Sequence, residues 1–598
     1  MRRRLLETLL PGTRARRFGR LLLYAGIVGV IAGLGAILFQ LLLGAANWFF
    51  LDWLAGYRPG EAAGETSFFA PTDTPFRRWM FFFVPALGGL ISGVLVFRFA
   101  PEAEGHGTDA VIDAFHRRGG EIRARVPLIK TIASAVTIGS GGAGGREGPI
   151  AQIGAGFGSV FARLVRLSPR DRCLLVAAGM GAGIGAIFHA PLAGALFAAE
   201  VLYREIDFEF EVIVPATVAS IIGYAVSAAA FGWQPLFRTP QMMFRNPAEL
   251  IGYLVLAVVL ALSAGLFVRV FYGTRDLFRA LRLPDWSKPM IGGLGTGAIG
   301  YFFPDALSTG YGIVQRALDG QVVVGFLVAA VLLRMLTTSL SIGSGGSGGV
   351  FGPSVVIGGS LGGCVGLALH EFAPWLAPHP EAYVMVGMAA FFAAAANTPL
   401  SSVIIVSEMT GNYNLLVPTL WTSAFAFVLA SRTSLYENQV DSRADAPLHS
   451  GTMALEVLRR LRARDAMLPL DQARARLVEP STPFDQLVRL FAETGGASFP
   501  VLRDGRLVGV VTDAQIRAAL ADRDSIGRLL VAQDMMVAAI TISENETLDA
   551  AVRRMIRHQL GELVVVAESD PERVVGLLSR AQIVAAYDRE ILRAEDML

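Results

Sequence analysis

Apolar segments follow one another through the first 431 residues, over roughly 21–51, 79–99, 126–165, 172–202, 211–232, 250–272, 289–303, 321–342, 350–372, 382–409 and 414–431. Few of them are clean spans of the roughly 20 residues that cross a hydrocarbon core of about 30 Å. Several are shorter, longer, or interrupted by Gly and Pro. Such interruptions are tolerated at membrane depth where the freed backbone is buried in protein or lines a cavity, so the pattern predicts broken helices around a transport pathway. Charge is partitioned to match. Of the 102 charged residues, 44 lie in the 158 residues from Asp441 to Leu598 and 58 in the 440 before them. The sequence therefore reads as a membrane body followed by a soluble tail.

The body compares with itself. Ile138-Gly-Ser-Gly-Gly-Ala-Gly-Gly-Arg-Glu-Gly-Pro149 matches Ile342-Gly-Ser-Gly-Gly-Ser-Gly-Gly-Val-Phe-Gly-Pro353, with 12 identities in the 23 positions beginning at Thr137 and Ser341. A second match follows, in which Gly179-Met180, Pro191-Leu192 and Glu200 align with Gly387-Met388, Pro399-Leu400 and Glu408. The expectation is an internal duplication with inverted repeats, over about 21–232 and 250–431. Paired interrupted segments in two halves of a transporter point to a binding site at the repeat interface.

The glycine strings specify the chemistry of that site. Amides at a helix N-terminus are unpaired donors at the positive end of the helix dipole. Glycine lets them approach a ligand, and Pro149 and Pro353 suit a first helical turn. Two such strings facing one another would aim their amides at one anion. A cation site wants convergent carboxylates, and the clear acids of the apolar segments are Glu147, Glu200 and Glu408. Glu147 stands inside the first string, where the second has Phe351. An ionised group at membrane depth costs about 2.5–3.5 kcal/mol on insertion scales and is a functional candidate by default. Among amides aimed at an anion, its carboxylate occupies the anion's place and leaves when protonated, which predicts a pH-sensitive gate. Glu200 and Glu408 read as symmetric structural groups at helix ends. A nucleotide phosphate cradle is excluded, since no Gly-Lys-Ser/Thr ending and no βαβ context accompany the glycines. No nucleophilic triad or zinc motif is present, which argues against an enzyme. Cys173 and Cys364 read as buried free thiols. A net charge of +2 gives no case for nucleic acid.

The tail carries its own repeat. Ala497-Ser-Phe-Pro-Val-Leu502 with Gly509-Val-Val-Thr-Asp-Ala-Gln-Ile516 is echoed by Leu563-Val-Val-Val566 with Gly576-Leu-Leu-Ser-Arg-Ala-Gln-Ile583. Each unit reads as two short strands followed by an amphipathic helix.

At these residues the chain resembles the CLC family of chloride channels and proton/chloride exchangers. Gly145-Arg-Glu-Gly-Pro149 is similar to the family's external-gate motif and Gly349-Val-Phe-Gly-Pro353 to its Gly-x-Phe-x-Pro motif. Gly411-Asn-Tyr-Asn-Leu415 follows Glu408-Met-Thr as in the family, and Ser434-Leu-Tyr-Glu437 looks like the segment carrying its pore tyrosine. The resemblance covers about residues 20–440, and the tail resembles the paired CBS domains of many CLC proteins. It implies an all-α polytopic membrane domain of two inverted repeats with broken helices, joined to a cytosolic α/β CBS pair. It also implies a homodimer with a pore in each subunit. Glu147 would gate, Arg146 and the amides around Gly148, Val350 and Phe351 would attract and hold chloride, and Tyr436 would donate its hydroxyl. Chloride is then the transported ligand and no cofactor is expected in the membrane body.

Two departures bear on mechanism. Where the family commonly has Gly-Ser-Gly-Ile-Pro, this chain has Gly105-His-Gly-Thr-Asp109, so His106 and Gly107 stand at the inner gate and chloride against nitrate is left open. Val201 follows Glu200 where exchangers usually place a second glutamate, which favours a channel or weakly coupled carrier over a proton/chloride antiporter. His106 and Glu200 remain, with Glu147, the proton-path candidates. Pro149 stands where fluoride exchangers commonly have threonine. A CBS-bearing cation transporter, or a sensor without transport, is the reading from another class. In the tail, nucleotide-binding CBS domains usually have Asp three residues after Ser or Thr. Here Thr512 is followed by Gln515 and Ser579 by Gln582, so an adenosine nucleotide is the weaker expectation beside a structural tail.

The expected organisation is a basic segment 1–20, a membrane domain 21–440, a linker 441–462, and CBS repeats over about 463–525 and 530–590. Arg2, Arg3, Arg4, Arg14, Arg16, Arg17 and Arg20 put the N-terminus in the cytoplasm by the positive-inside rule, and the tail puts the C-terminus there too. With 2 Lys against 50 Arg, the expected location is a prokaryotic plasma membrane.

Overall fold

The computed structural model describes residues 13–65, 68–430, 433–447, 457–495, 498–521 and 530–595. Arg2, Arg3 and Arg4 of the basic segment lie outside the described residues. The chain divides into two compact units, Met1–Leu448 and His449–Leu598.

The first unit is helical. One half runs α1 (Thr13–Asn47), α2 (Val84–Phe99), α3 (Thr108–Arg117), α4 (Arg125–Gly139), α5 (Glu147–Leu164), α6 (Pro169–Phe188), α7 (Pro191–Glu200) and α8 (Phe210–Phe231). The other repeats that order as α9 (Glu249–Ala280), α10 (Lys288–Phe302), α11 (Tyr311–Leu318), α12 (Val324–Gly343), α13 (Phe351–Phe372), α14 (Pro380–Ala396), α15 (Pro399–Thr410) and α16 (Leu416–Ala430). Among the described residues seven helices are long and apolar enough to cross a membrane. At 1.5 Å per residue, α7 and α15 are only about 15 and 18 Å long, so they end inside the hydrocarbon thickness. Outward positions are large and apolar: Leu262 is 73% exposed and Phe302 79%, as lipid-facing side chains are.

The halves meet through reciprocal contacts. The Gly145 amide donates to the Gly349 carbonyl at 2.7 Å, and the Gly349 amide to the Gly145 carbonyl at 2.7 Å. Equivalent residues that bond each other both ways lie on a two-fold axis. Helix crossings repeat as well. A Cβ on Gly154 would lie 2.1 Å from the Gly179 carbonyl oxygen, and one on Gly358 would lie 2.3 Å from that of Gly387. Only glycine lets α5 approach α6, and α13 approach α14, this closely.

In the second unit the two repeats interlock. Strands β1 (Leu468–Pro469), β4 (Thr541–Ser543), β5 (Glu562–Ala567) and β6 (Asp570–Ser579) form one sheet in the order β1-β6-β5-β4, and β2 (Ser498–Arg503) pairs with β3 (Arg506–Thr512). The opening turn Ala463–Ala466 packs into the core of Ile542, Leu563 and Leu578, while Ala532–Met535 packs with Phe484, Phe499 and Val511. Each repeat thus seals the other's core. The expected linker 441–462 needs a correction: residues 457–460 are helical, and Leu458 and Leu461 pack on the second repeat's core, so the folded tail starts before residue 463.

Candidate anion pathway

The reciprocal Gly145–Gly349 contact brings the starts of α5 and α13 together, with Arg146 and Val350 as their N-cap residues. Their first-turn amides precede the i→i−4 ladder and have no partner within their own helices. Beside them is a cavity of about 10 Å³, lined by Thr108, Glu147, Gly148, Val350, Phe351 and Tyr436 and closed by the apolar side chains of Phe188, Phe197 and Ile405. That volume is about one small probe sphere, room for one unhydrated ion. The fit is tight because a Cβ on Gly148 would lie 1.8 Å from the His106 carbonyl oxygen.

Glu147 is 4% exposed. Its Oε2 accepts the Gly352 amide of α13 at 3.1 Å, and its Oε1 accepts the hydroxyl of Tyr311. The carboxylate thus bridges both halves and sits in the amide cradle itself. Tyr436 and Thr108 both bring a hydroxyl group to the cavity wall. The cavity separates two vestibules. The wider, about 770 Å³, is lined by His106, Gly107, Phe271, Arg275 and Glu437 among others. The narrower, about 340 Å³, is lined by Arg146, Asp52, Arg58, Glu61 and Glu65.

The structure gathers Glu147, Gly148, Val350, Phe351 and Tyr436 at the cavity. His106 and Gly107 fall on the wider-vestibule side, where the imidazole packs against Tyr436 with ring centroids 5.4 Å apart and its Nδ1 has no hydrogen-bond partner. The Arg146 guanidinium turns towards the narrower vestibule, paired with Glu65 at 2.6 Å and lying 5.2 Å over the Tyr311 ring. Glu200 is not at the cavity. It is fully buried, its carboxylate accepting the Leu400 and Ser401 amides at 2.9 and 2.7 Å, and Glu408 answers by accepting the Leu192 and Ala193 amides at 3.3 and 2.8 Å. Each glutamate caps a helix of the opposite half.

Sequence reasoning missed four polar residues. Thr108 and Tyr311 open α3 and α11 immediately after Gly107 and Gly310. Lys130 on α4 donates to the carbonyls of Ala103 and Gly105 at 3.0 and 2.7 Å, and Arg334 on α12 donates to those of Ala306, Leu307, Ser308 and Thr309 at 2.7–3.2 Å. Each buried cation fastens the loop that leads into a short pore helix. Aligning the two halves by the glycine strings superposes Lys130 on Arg334, and that was the available signal.

In the tail, the Gln515 carbonyl accepts from the Thr512 amide at 3.1 Å. That of Gln582 accepts the Ser579 amide at 2.6 Å, while the Ser579 hydroxyl accepts the Gln582 amide at 3.3 Å. The second is a capping box, in which the two residues satisfy one another at a helix start.

The family model for voltage-gated chloride channels matches residues 88–431, and that for CBS domains matches 474–522 and 531–589. A putative chloride channel protein ClcB-like of Ralstonia nicotianae is 30% identical over 417 residues, 69% of this chain and 94% of that protein. An H(+)/Cl(−) exchange transporter ClcA of Yersinia pseudotuberculosis is 30% identical over 463 residues, 76% of this chain and 91% of that protein. Two solved structures share the fold. A slow cyanobacterial Cl−/H+ antiporter has TM-score 0.61 at 24% identity, covering 69% of this chain and 94% of its own. A eukaryotic CLC transporter has TM-score 0.56 at 21% identity, covering 95% and 98%. The protein is thus a multi-pass membrane protein of CLC-type anion transport and not an enzyme. With the family model spanning more than half of it, the chain belongs to the voltage-gated chloride channel (CLC) family and carries a C-terminal pair of CBS domains.

Proposed function

We propose that the protein conducts chloride through a pore in each subunit of a homodimer, gated from the narrower, outer vestibule by Glu147, as a channel or weakly coupled carrier. The observation that carries this is the Glu147 carboxylate lying on the Gly352 amide beside a one-ion cavity. An anionic side chain in an anion's seat blocks the path until protonation removes its charge. Chloride held by amides and the Tyr436 hydroxyl, with no full cation lining the cavity, binds loosely enough to leave. Weak coupling is supported by Val201, fully buried and apolar where a proton relay would need an acid.

The second reading is a proton-coupled antiporter, favoured by the likeness to the H(+)/Cl(−) exchange transporter of Yersinia pseudotuberculosis. Nitrate remains an alternative cargo because His106 replaces the inner serine, and fluoride a lesser one given Pro149. The reversal potential of the purified protein in a planar bilayer decides between the main readings. A channel reverses at the chloride equilibrium potential whatever the pH gradient, whereas coupled exchange displaces that value and makes it move with pH. Glu147→Gln should abolish the pH-dependent gating of chloride flux, and an unchanged pH response would reject the gate.

A further inference from the structure

Resting on the reading of Glu147 as the gate, we propose that Tyr311 is a positioning residue that latches it, its hydroxyl holding the ionised carboxylate in the anion's seat. Tyr311 is fully buried at the first position of α11, and its O–H donates to Glu147 Oε1. The ring is fixed from several sides. The Arg146 guanidinium lies over its face at 5.2 Å, and Phe237 meets it edge-on at 5.4 Å. The preceding loop, Ala306 to Thr309, is bound through its carbonyls by Arg334. The loop that carries Gly60 and Glu65 reaches the same helix, where the Gly312 amide donates to the Gly60 carbonyl at 3.0 Å, and pins Arg146 through Glu65. A phenol placed this rigidly has little freedom to follow Glu147 elsewhere.

The chemistry selects one state of the gate. A phenolic O–H is a donor to a carboxylate, and such charge-assisted bonds are roughly twice as strong as neutral ones. Protonating Glu147 removes the charge and with it about half of the hold. The groups facing Glu147 are Arg146 with its partner Glu65, Tyr311, the Gly352 amide and, across the cavity, Tyr436. Of these only Tyr311 and Gly352 donate to its carboxylate across the interface between halves. The duplication gives the arrangement a counterpart: Thr108, which likewise follows a glycine and opens α3, lines the cavity together with Tyr436. Each short pore helix thus starts with a hydroxyl directed at the path.

Tyr311→Phe keeps the ring, its edge contact and its place under Arg146, and deletes only the donor. In proteoliposomes near neutral pH, where the gate is mostly closed, its chloride flux should rise roughly tenfold, as for loss of a hydrogen bond to a charged group. In the Glu147→Gln background, where only a neutral amide carbonyl is left to accept the hydroxyl, the same substitution should change flux far less, because the latch acts through the charge of the carboxylate. Unchanged flux in Tyr311→Phe, with Glu147→Gln itself open, overturns the latch and leaves the gate standing. An equal fall in both backgrounds shows a merely structural tyrosine and also overturns it. If Glu147→Gln alone leaves flux and its pH response unaltered, the gate reading fails first and the latch with it.

Discussion

Glu61 shares the narrower vestibule with two cations that are already engaged, Arg58 by Asp52 at 3.0 Å and Arg146 by Glu65 at 2.6 Å. Among the described residues it has no ion-pair partner, so an approaching anion meets one surplus negative charge. Partial burial and the neighbouring Glu65 carboxylate raise its pKa, against the pull of Arg146. Glu61→Gln should therefore raise chloride uptake from this side a few-fold at low ionic strength, and the gain should fade near 1 M salt, where the Debye length is about 3 Å. A raised carboxylate sheds its charge earlier on acidification, so with the gate removed by Glu147→Gln a few-fold gain should remain at low salt as the pH on this side falls. Flux measured against salt and pH checks both; a gain that persists at high salt counts against the electrostatic origin. At this scale the sequence reveals what breaks a rule. Glu147 is legible because an acid in a membrane glycine string is anomalous. Tyr311 is not, since a tyrosine beside an apolar helix reads as packing and its partner lies 164 positions away. Lys130 and Arg334 bind backbone carbonyls, which leave no side-chain pattern to find.

Among the helices, α7 and α15 end inside the membrane, and their N-terminal amides need acceptors that neither water nor lipid supplies. Glu200 and Glu408 provide them from the opposite half. Glu200→Ala should lower thermal stability by about 2 kcal/mol, the upper range for loss of a cap, whereas Glu200→Gln keeps a carbonyl acceptor and should cost less. Because both oxygens of Glu200 are committed to α15, Glu200→Gln should also leave any proton flux unchanged. Thermal unfolding in detergent together with proton uptake tests this, and loss of proton flux at intact stability would restore Glu200 to the proton path. The shared offset of the Pro-Leu pairs and the two glutamates made their equivalence readable. That each acid reaches across to the other half is a property of the two-fold arrangement, and linear spacing does not encode it.

For the molecule as a whole, duplication recurs in both units, and in both the copies are joined by exchange. In the tail the bond between repeats is the buried pair Arg476–Glu562, with Arg476 also donating to the Ser498 carbonyl at 2.9 Å. Arg476→Met would strand Glu562, whose side chain is 4% exposed, and removing one partner of a buried pair costs about 3–5 kcal/mol. The tail of the intact protein should then be cut by protease at much lower concentration; unchanged resistance would show the pair to be dispensable. The strand-strand-helix core of each repeat was readable from its β-branched runs, but the exchange was not, because β1 is two residues long and its counterpart at Val537 is a single bridge to Val510, too short to show a period. In the membrane unit a different charge is left open. Lys130 and Arg334 are wholly buried, and among the described residues neither meets a carboxylate within ion-pair distance. Carbonyl oxygens accept from Lys130 Nζ and from the two terminal nitrogens of Arg334, while Arg334 Nε is left without a partner, and none of these bonds cancels the charge. Their nearest answering charges act through space, Glu104 on Lys130 and Asp305 on Arg334. On the proposed reading the folded pore binds an anion that the unfolded chain would not, so by mass action chloride would raise the protein's thermal stability, and an empty pore would be its weakest moment.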